Sequence, residues 1–426
     1  EESKSVIDTL ADQRGLPWNI EIPAGTWLDP LYLWRLAHEI QLKPETVAFF
    51  VDDDCHDENG DRFNPRFKPG VNEARLRTSD LAGPLCVSRK AWRSAGGAGQ
   101  RNGSPWFAQL LKIADEFGWP SISHTPDVLI SYPRSIPTDI ESCLLGLVEN
   151  EMRKGTGSEI VPVTDKSWNI RYPLSSAPRV TIAIISQGQL DFLPRCFNSI
   201  IEKTNYPNFE IIIALTCADE DPDLNHWLEG IQKNSLPEVR AVRTSAPANH
   251  ATRCNAAIQA SSSELVLLVR EEAVFIQDKC LEELVRTCLQ PGIAATAPCL
   301  IAPGTGLIQD AGNVLGLEGL VGTPYHLRAK LGDMGYLDDL RTARDASALS
   351  GACLLVRRES YLAAGGMDDS ELGDHFSDAD LCQKLLNLKQ RLIYQPLATA
   401  VYGGPTSLDV GCDVEGWARD TVAKAH

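Results

Sequence analysis

The sequence has no apolar segment of the length that a membrane-spanning helix requires. Such a helix needs roughly 20 consecutive, mostly apolar residues, and the apolar runs of this chain are all much shorter. Its first residues, Glu1-Glu2-Ser3-Lys4, also lack the basic flank and apolar run of a secretory signal peptide. We therefore expect a protein of the cytoplasm without a transmembrane segment.

Paired cysteines and zinc-like cysteine–histidine spacings are also missing. The 12 cysteines are scattered singly, without a Cys-x-x-Cys pair. Cys196, Cys254, Cys353 and Cys382 lie in apolar or helical contexts. This distribution favours free, buried thiols in a reducing compartment over a disulfide framework.

An excess of positive charge is lacking as well. The chain has 40 Lys and Arg against 57 Asp and Glu, a net charge of −17. Nucleic acid and anionic membrane surfaces repel such a protein, so we exclude both as main partners. What remains is a globular composition, 43% hydrophobic, in a chain of 426 residues that is long enough for two domains.

A change of pattern near residue 178 separates two regions. A stretch rich in Pro and Ser, without a sustained apolar period, predicts a linker over residues 151–178. The β-branched run Val180–Ile185 then indicates a strand buried on both faces. Helical patterns at 192–201, 224–233 and 251–260 alternate with strand patterns at 209–214, 239–243 and 265–269. This alternation predicts an α/β fold with a parallel, doubly wound sheet, which binds ligands at the carboxyl ends of its strands.

The chain also repeats part of itself. The segment Arg89-Lys-Ala-Trp-Arg-Ser-Ala-Gly96-Gly97 is echoed by Arg358-Glu-Ser-Tyr-Leu-Ala-Ala-Gly365-Gly366. Downstream of each copy a Pro and a Tyr stand six residues apart, at Pro126 and Tyr132 and at Pro396 and Tyr402. We interpret the double match as a duplicated module rather than a chance similarity.

Several motifs follow one another in order between Val180 and Tyr402. They are Lys203-Thr-Asn-Tyr-Pro-Asn-Phe-Glu210, Ile308-Gln-Asp-Ala-Gly312, Ser350-Gly-Ala-Cys353 with Gly365-Gly-Met-Asp368, and Phe376-Ser-Asp-Ala-Asp-Leu-Cys382. Together they resemble bacterial family 2 glycosyltransferases that build O-antigens and other surface polysaccharides, including rhamnosyltransferase-type members. The resemblance implies a Rossmann-like GT-A fold with a mostly parallel sheet over residues 179–405, followed by a tail at 406–426.

Residues 1–150 are similar to the second half of another such domain, as in tandem versions. The similarity lies in Phe50-Val-Asp-Asp-Asp54 and Asn64-Pro-Arg-Phe-Lys-Pro69. The position of the catalytic acid falls at or near Trp106, and the usual metal loop is represented by Ile22-Pro-Ala-Gly-Thr26, which has no acid. We therefore expect a partial, degenerate module without chemistry of its own. Its acidic cluster Asp52, Asp53, Asp54 and Asp57 misses EF-hand spacing, and we expect it to be solvated.

In the second region, the resemblance implies an inverting transfer in which a carboxylate takes the proton of the acceptor hydroxyl. Asp378 matches the position of that base, with Asp380 in support near the start of a helix. The alternative is that Asp378 caps the helix. The family's metal ligand position, for Mg²⁺ or Mn²⁺, is occupied by Glu272.

Other donor-site positions depart from the family pattern. Arg270 stands where Asp or Asn is usual, and it either contacts diphosphate oxygens or lies in a solvated loop that binds no nucleotide. Leu215 and Gly403 replace an expected Asp and His. The remaining donor-binding candidates are Ser186, Arg253 and Asn255.

The function that the sequence favours is transfer of a sugar from a nucleotide-sugar to a glycan or glycolipid acceptor, in association with proteins of a polysaccharide assembly. The alternative is an inactive GT-A module that binds glycans or proteins as a scaffold, since fold does not guarantee activity. A third reading is a metal-independent transferase that uses Arg270.

Overall fold

A computed structural model describes residues 17–96, 105–135, 140–216, 221–234, 237–317 and 321–404. The chain divides into two compact units, Glu1–Ile170 and Arg171–His426, and the boundary falls inside the predicted linker. In the described ranges, none of the helices combines the length and the apolar character needed to cross a membrane.

The first unit contains a six-stranded sheet of order β1-β5-β3-β6-β2, with β4 on β3. Its elements are β1 (Trp18–Ile20), β2 (Trp27–Leu28), α1 (Tyr32–Leu42), β3 (Ala48–His56), β4 (Arg62–Arg66), α2 (Glu73–Leu76), β5 (Cys86–Ser88), α3 (Arg89–Ser94), α4 (Pro105–Phe117), β6 (Ile122–Pro133), α5 (Ile140–Lys154), β7 (Glu159–Pro162) and β8 (Trp168–Arg171).

The second unit contains a ten-stranded sheet of order β11-β10-β9-β12-β19-β14-β20-β13, with β15 on β14 and β18 on β20. Its elements are β9 (Val180–Ile185), α6 (Leu193–Lys203), β10 (Phe209–Thr216), α7 (Pro222–Asn234), β11 (Val239–Thr244), α8 (His250–Ala260), β12 (Leu265–Arg270), β13 (Ala273–Phe275), α9 (Cys280–Cys288), β14 (Ile293–Ile301), β15 (Ile308–Asp310), β16 (Val314–Leu315), β17 (Val321–Gly322), β18 (Arg344–Asp345), β19 (Cys353–Arg357), α10 (Arg358–Ala363), α11 (Ser377–Asn387) and β20 (Arg391–Tyr402).

The predicted alternation of strands and helices in the first half of this unit is confirmed. Strands β10, β9 and β12 pair in parallel, as the alternation requires. Successive residues of β9 enter different cores, with Ile182 on one face of the sheet and Ala183 on the other. This arrangement explains why β9 is a continuous apolar run, because helices cover both faces.

Helix α6 shows how the sequence places a helix against one face of the sheet. Its buried residues include Leu193, Cys196, Phe197 and Ile200, which follow the i, i+3, i+4, i+7 spacing of one helical face. Lys203 lies in the last turn, where a cation is favourable beside the exposed carbonyl groups. The helix therefore packs on the sheet directly after β9 and fixes where the connecting loop of residues 186–192 runs.

The two units share one strand order. In the first, β1-β5-β3-β6-β2 pair as antiparallel, antiparallel, parallel and antiparallel neighbours. In the second, β12-β19-β14-β20-β13 follow the same sequence of pairings. The repeated segments begin α3 and α10, directly after β5 and β19, and the Pro–Tyr pairs lie in β6 and β20. The sequence repeats thus occupy the same places in the order of five strands that the two sheets share.

Candidate active site

The carboxyl ends of β9, β10 and β12 meet at one edge of the second sheet. Ile185 is paired with Ala214 of β10 on one side and with Arg270 of β12 on the other. Ser186 and Leu215 follow immediately, so they lie at this edge with Arg270. This is the edge where parallel α/β sheets bind ligands.

Glu271 organises the loop that follows β9. Its buried carboxylate accepts hydrogen bonds from the Ser186 hydroxyl (2.5 Å), the Gln187 amide (2.7 Å) and the Gln189 amide (3.3 Å). Burial raises the pKa of Glu271, and the hydrogen bond from Ser186 opposes that rise. The predicted donor-binding residue Ser186 therefore has its hydroxyl proton committed to Glu271, and its role toward a donor stays a prediction.

Arg270 lies at the centre of a charged group. Its backbone amide donates to the carbonyl of Ala352, directly before β19 (3.0 Å). Burial lowers the pKa of its guanidinium, but Tyr402, Glu272 and Asp378 act on it more strongly in sum and raise it. Tyr402 hydrogen-bonds with Arg270, and its own pKa is raised to about 12 because it is buried. In the loop predicted to be either functional or solvated, Glu271 is thus buried, Arg270 and Glu272 are half-buried, and Arg270 is hydrogen-bonded with Tyr402.

Asp378 is bonded both to the turn before β19 and to the first turn of its own helix. Its Oδ2 accepts from the Gly351 amide (2.7 Å) and its Oδ1 from the Ala379 amide (2.8 Å). Gly351 precedes Ala352, the partner of Arg270, so the two charged residues flank the start of β19. A capping carboxylate accepts from the second or third amide of its helix, and Ala379 is the third residue of α11. The bond to Ala379 therefore fits the alternative of helix capping, and the bond to Gly351 adds a link to a second element.

The start of this helix differs from the prediction. We expected it near Asp380, but α11 begins at Ser377, because Phe376 has a left-handed backbone (φ 59°) that ends the preceding turn. Asp380 is therefore inside the helix and pairs with Lys384 one turn later (2.6 Å). Its carboxylate stabilises the helix surface through an i, i+4 pair.

Arg253 reaches the same edge from helix α8. Its Nη1 donates to Thr216 Oγ1 (3.3 Å) at the end of β10 and to the Ala248 carbonyl (3.0 Å). Its Nε is buried and has no hydrogen-bond partner among the described residues. Burial lowers the pKa of Arg253, the carboxylate of Asp374 opposes this, and the positive charge of Arg270 adds to it.

His250 and Asn255, on the same helix, have structural partners. The His250 amide donates to Asp374 Oδ1 (2.7 Å), and burial with the two nearby arginines lowers the pKa of its ring well below the usual value. The ring is therefore neutral. Asn255 Oδ1 accepts from the Tyr361 hydroxyl (2.6 Å) and its amide donates to the Met367 carbonyl (2.9 Å). The structure does not bring this predicted donor residue into the group around Arg270.

A comparison with protein families identifies this part of the chain. Residues 181–361 match the family model described as Glycosyl transferase family 2. The second unit carries a family 2 glycosyltransferase domain. The match and the parallel strands confirm the predicted GT-A class of α/β fold, and the family is that of the predicted enzyme class, the nucleotide-sugar-dependent transferases.

Two curated relatives cover most of this chain. It is 30% identical over 386 residues to "Uncharacterized protein y4gI" of Sinorhizobium fredii (strain NBRC 101917 / NGR234), covering 87% of the chain and 42% of that protein. It is 24% identical over 357 residues to "O-antigen biosynthesis protein RfbC" of Myxococcus xanthus, covering 80% of the chain and 27% of that protein. The chain thus spans less than half the length of either relative.

Two solved structures are similar at low identity. One is a mannosyltransferase from Pyrobaculum calidifontis in complex with GDP-Man and Mn²⁺ (TM-score 0.41, 17% identity, 59% of this chain and 65% of that one). The other is GalNAc-T7 with UDP, GalNAc and Mn²⁺ (TM-score 0.43, 15% identity, 57% of this chain and 46% of that one).

The donor loop of the family 2 domain does not fit a divalent cation well. Arg270 adds a positive charge at the first position, and both carboxylate oxygens of Glu271 are bonded to the loop after β9. Glu272, the predicted ligand, is the acid of this loop that remains. Across the described residues, no three His, Cys, Asp or Glu side chains form a group that could hold a metal ion. One carboxylate beside an arginine is a poor ligand set for Mg²⁺ or Mn²⁺.

Trp106, predicted to stand at or near the position of the base in the first unit, has a structural role. Trp106 is buried in the first turn of α4, and its Nε1 donates to the Glu21 carbonyl (3.0 Å) in the loop between β1 and β2. That loop takes the place that residues 270–272 have between β12 and β13.

The prediction that the acidic cluster of the first unit is solvated was wrong for Asp52, Asp53 and Asp54, whereas Asp57 lies in the turn after β3 and is not buried. Asp53 is fully buried and binds Arg66 (2.6 Å) and Lys68 (2.7 Å). Asp52 bonds to His124 and Asp54 to Arg62. The carboxylates stand in the central strand β3, where cations from β4 and the following residues neutralise them.

Sequence reasoning missed several residues of the site. Glu271 was assigned no role, although its neighbours in the sequence were. Thr216, Asp374 and Tyr402 come from three other elements, and only Tyr402 gave a signal, as part of the Pro–Tyr repeat.

Proposed function

We propose that the family 2 domain transfers a sugar from a nucleotide-sugar to a hydroxyl of a glycan or glycolipid acceptor in surface polysaccharide biosynthesis, with inversion at the anomeric carbon. The main observation in support of this function is the position of Asp378. Its carboxylate is fixed by the Gly351 amide at the edge of the sheet that also holds Arg270.

The chemistry needs a base and a stabilised leaving group. The acceptor oxygen forms a bond to the anomeric carbon while the bond from that carbon to the diphosphate oxygen breaks. The acceptor proton goes to the Asp378 carboxylate. The electron pair of the broken bond leaves on the nucleoside diphosphate, whose charge is stabilised by positive groups at the strand ends. Proteins of a polysaccharide assembly are the expected partners, in line with the printed name of the Myxococcus relative.

We further infer that the first unit is a partial second copy of this fold. Its strand order and the position of the repeated segment support this, as does the resemblance of residues 1–150 to the second half of such a domain. With Trp106 at the base position and no acid in residues 22–26, we assign it no catalysis. The buried thiols of the described cysteines support a cytoplasmic location.

The competing function is that of an inactive scaffold. Leu215, fully buried at the end of β10, stands where the family's nucleotide-contacting Asp is expected, and this favours a domain that holds no nucleotide.

The test combines binding with turnover. The protein is titrated calorimetrically with UDP, dTDP and GDP, and the corresponding nucleotide-sugars are assayed for release of nucleoside diphosphate. We expect one nucleotide to bind and its sugar to turn over. Asp378→Asn should lower turnover by about 10²–10⁴-fold with affinity nearly unchanged, because only the base is lost.

The matched control is Glu264→Gln. Glu264 is exposed and pairs with Arg357 just before β12, at the amino end of that strand, so turnover should stay at the wild-type level. A folded protein that binds none of the three nucleotides would rule out the enzyme in favour of the scaffold.

A further inference from the structure

We propose that Arg253 and Arg270 together replace the divalent cation of the donor site, so that this domain binds the diphosphate of its donor without metal. The proposal rests on the proposed transferase function and adds what neutralises the leaving group. It concerns a nucleoside diphosphate as ligand and two guanidinium groups as its receptor.

The two arginines stand on either side of the loop that follows β9. Arg270 ends β12, and Arg253 is bonded to Thr216 at the end of β10. In the sheet, β9 lies between β10 and β12. The residues 186–189, braced by Glu271, therefore run between the two positive charges. A diphosphate on this edge meets Arg270 at the end of β12 on one side and, on the other, Arg253 of α8, which is bonded to the end of β10.

Arg253 has a donor group that the described residues do not use. Burial lowers the pKa of its guanidinium, Asp374 opposes this, and the charge of Arg270 adds to it. The buried Nε of Arg253 has no acceptor within the described part of the chain. A planar guanidinium presents paired N–H donors that match two phosphate oxygens, so a diphosphate would satisfy both groups at once.

The acids at this edge already have other partners. Glu271 is bonded to the loop after β9, and Asp378 to the start of β19. Glu272 acts on Arg270 and raises its pKa. A divalent ion placed at Glu272 would meet the positive charge of Arg270, which disfavours its binding. The residues thus supply the positive charge themselves.

The first experiment measures affinity for UDP, dTDP and GDP in EDTA and in Mn²⁺. We expect the nucleotide that binds to have the same affinity in both, within about threefold. Arg253→Ala and Arg270→Ala should each weaken binding at least about tenfold, since each removes charged hydrogen bonds to the diphosphate.

Arg240→Ala is the matched control. Arg240 lies near the amino end of β11, at the opposite edge of the same sheet, and donates to the Ala260 carbonyl. Its loss should leave affinity within about twofold of the wild type, because a charge beyond the Debye length of about 10 Å is screened. Circular dichroism establishes that each variant is folded.

The second experiment changes the sign of the charge. Arg270→Asp restores an acid two residues before Glu272, and we expect nucleotide binding in this variant to require Mn²⁺. Binding by the variant that is unweakened and indifferent to Mn²⁺ would overturn the proposal.

The outcomes distinguish a failure of the proposed arginine pair from a failure of the proposed transferase function. Wild-type binding that is lost in EDTA and restored by Mn²⁺ contradicts the arginine pair but leaves the transferase intact. Absence of binding under both conditions contradicts the transferase itself.

Discussion

The Ser186 hydroxyl donates a hydrogen bond to the buried carboxylate of Glu271, with 2.5 Å between the two oxygen atoms. The same hydroxyl accepts from the Gly188 amide (2.8 Å), so the serine is bonded on both sides. In this domain the acid in the middle of the donor loop therefore shapes the neighbouring loop instead of facing a ligand.

Removing this acid should destabilise the second unit. Glu271→Ala leaves the Ser186 hydroxyl and the Gln187 amide without an acceptor, and we expect a loss of about 2–3 kcal/mol in the free energy of unfolding. Urea denaturation measures it. Glu271→Gln keeps one acceptor oxygen and should cost less. Equal stabilities of the two variants would show that the hydrogen bonds are not what matters.

Asp310 predicts a specific pH dependence of stability. It is buried, and burial raises its pKa to about 6, against the hydrogen bond from the Gly312 amide. Between about pH 4 and pH 6 the unfolded chain has lost this proton while the folded chain keeps it, so stability falls as pH rises. Over that window the loss is about 3 kcal/mol.

The variant Asp310→Asn should lack this fall, because the amide does not titrate and its oxygen still accepts from Gly312. Urea titrations of both proteins from pH 4 to pH 7 give the difference in unfolding free energy, to which other titrating groups contribute equally. Parallel curves would mean that Asp310 ionises in the folded state as it does in the unfolded state.

Trp106 predicts graded effects in the first unit. Trp106→Phe removes the hydrogen bond to the Glu21 carbonyl but keeps an aromatic ring, so we expect a loss of about 1 kcal/mol. Trp106→Ala also empties a buried position and should cost about 3–5 kcal/mol. Tryptophan fluorescence during urea unfolding measures both. If alanine were no worse than phenylalanine, the indole would not be packed as described.

The cysteines predict a simple titration result. The ten described cysteines are buried. Burial raises the pKa of many of these thiols, for example Cys254 and Cys382 to about 12, so little reactive thiolate is present at pH 8. Ellman's reagent should leave these thiols unreacted in the native protein and count all 12 in concentrated guanidinium chloride. A lower count in the denatured protein, raised by reductant, would reveal a disulfide.

The sequence predicted those parts of the fold whose residues are neighbours in the chain. The apolar run of β9 and the one-sided pattern of α6 each contain their own period, so both elements were found. The start of α11 was misplaced because the left-handed turn at Phe376 depends on its surroundings, not on a common signal for such a conformation.

For the site, the sequence predicted which residues belong to it but not which side chains contact one another. The place of Glu271 in a motif did not show that its side chain turns toward Ser186, across 85 residues of sequence. The three acids of β3 were expected in solvent because Arg66 and Lys68, which bury Asp53 with them, follow 13 and 15 residues later. A buried ion pair of this kind is visible only once the strands are placed together.

The strand order of the second unit also bears on how this site is acquired during folding. Arg253 and Arg270 belong to the first strands and helices, whereas Gly351, Asp378 and Tyr402 follow more than 80 residues later, in a turn, a helix and the last strand. Closing such long loops is slow compared with local helix formation. During synthesis the two arginines therefore precede Asp378, and a chain that ends before α11 lacks the proposed base.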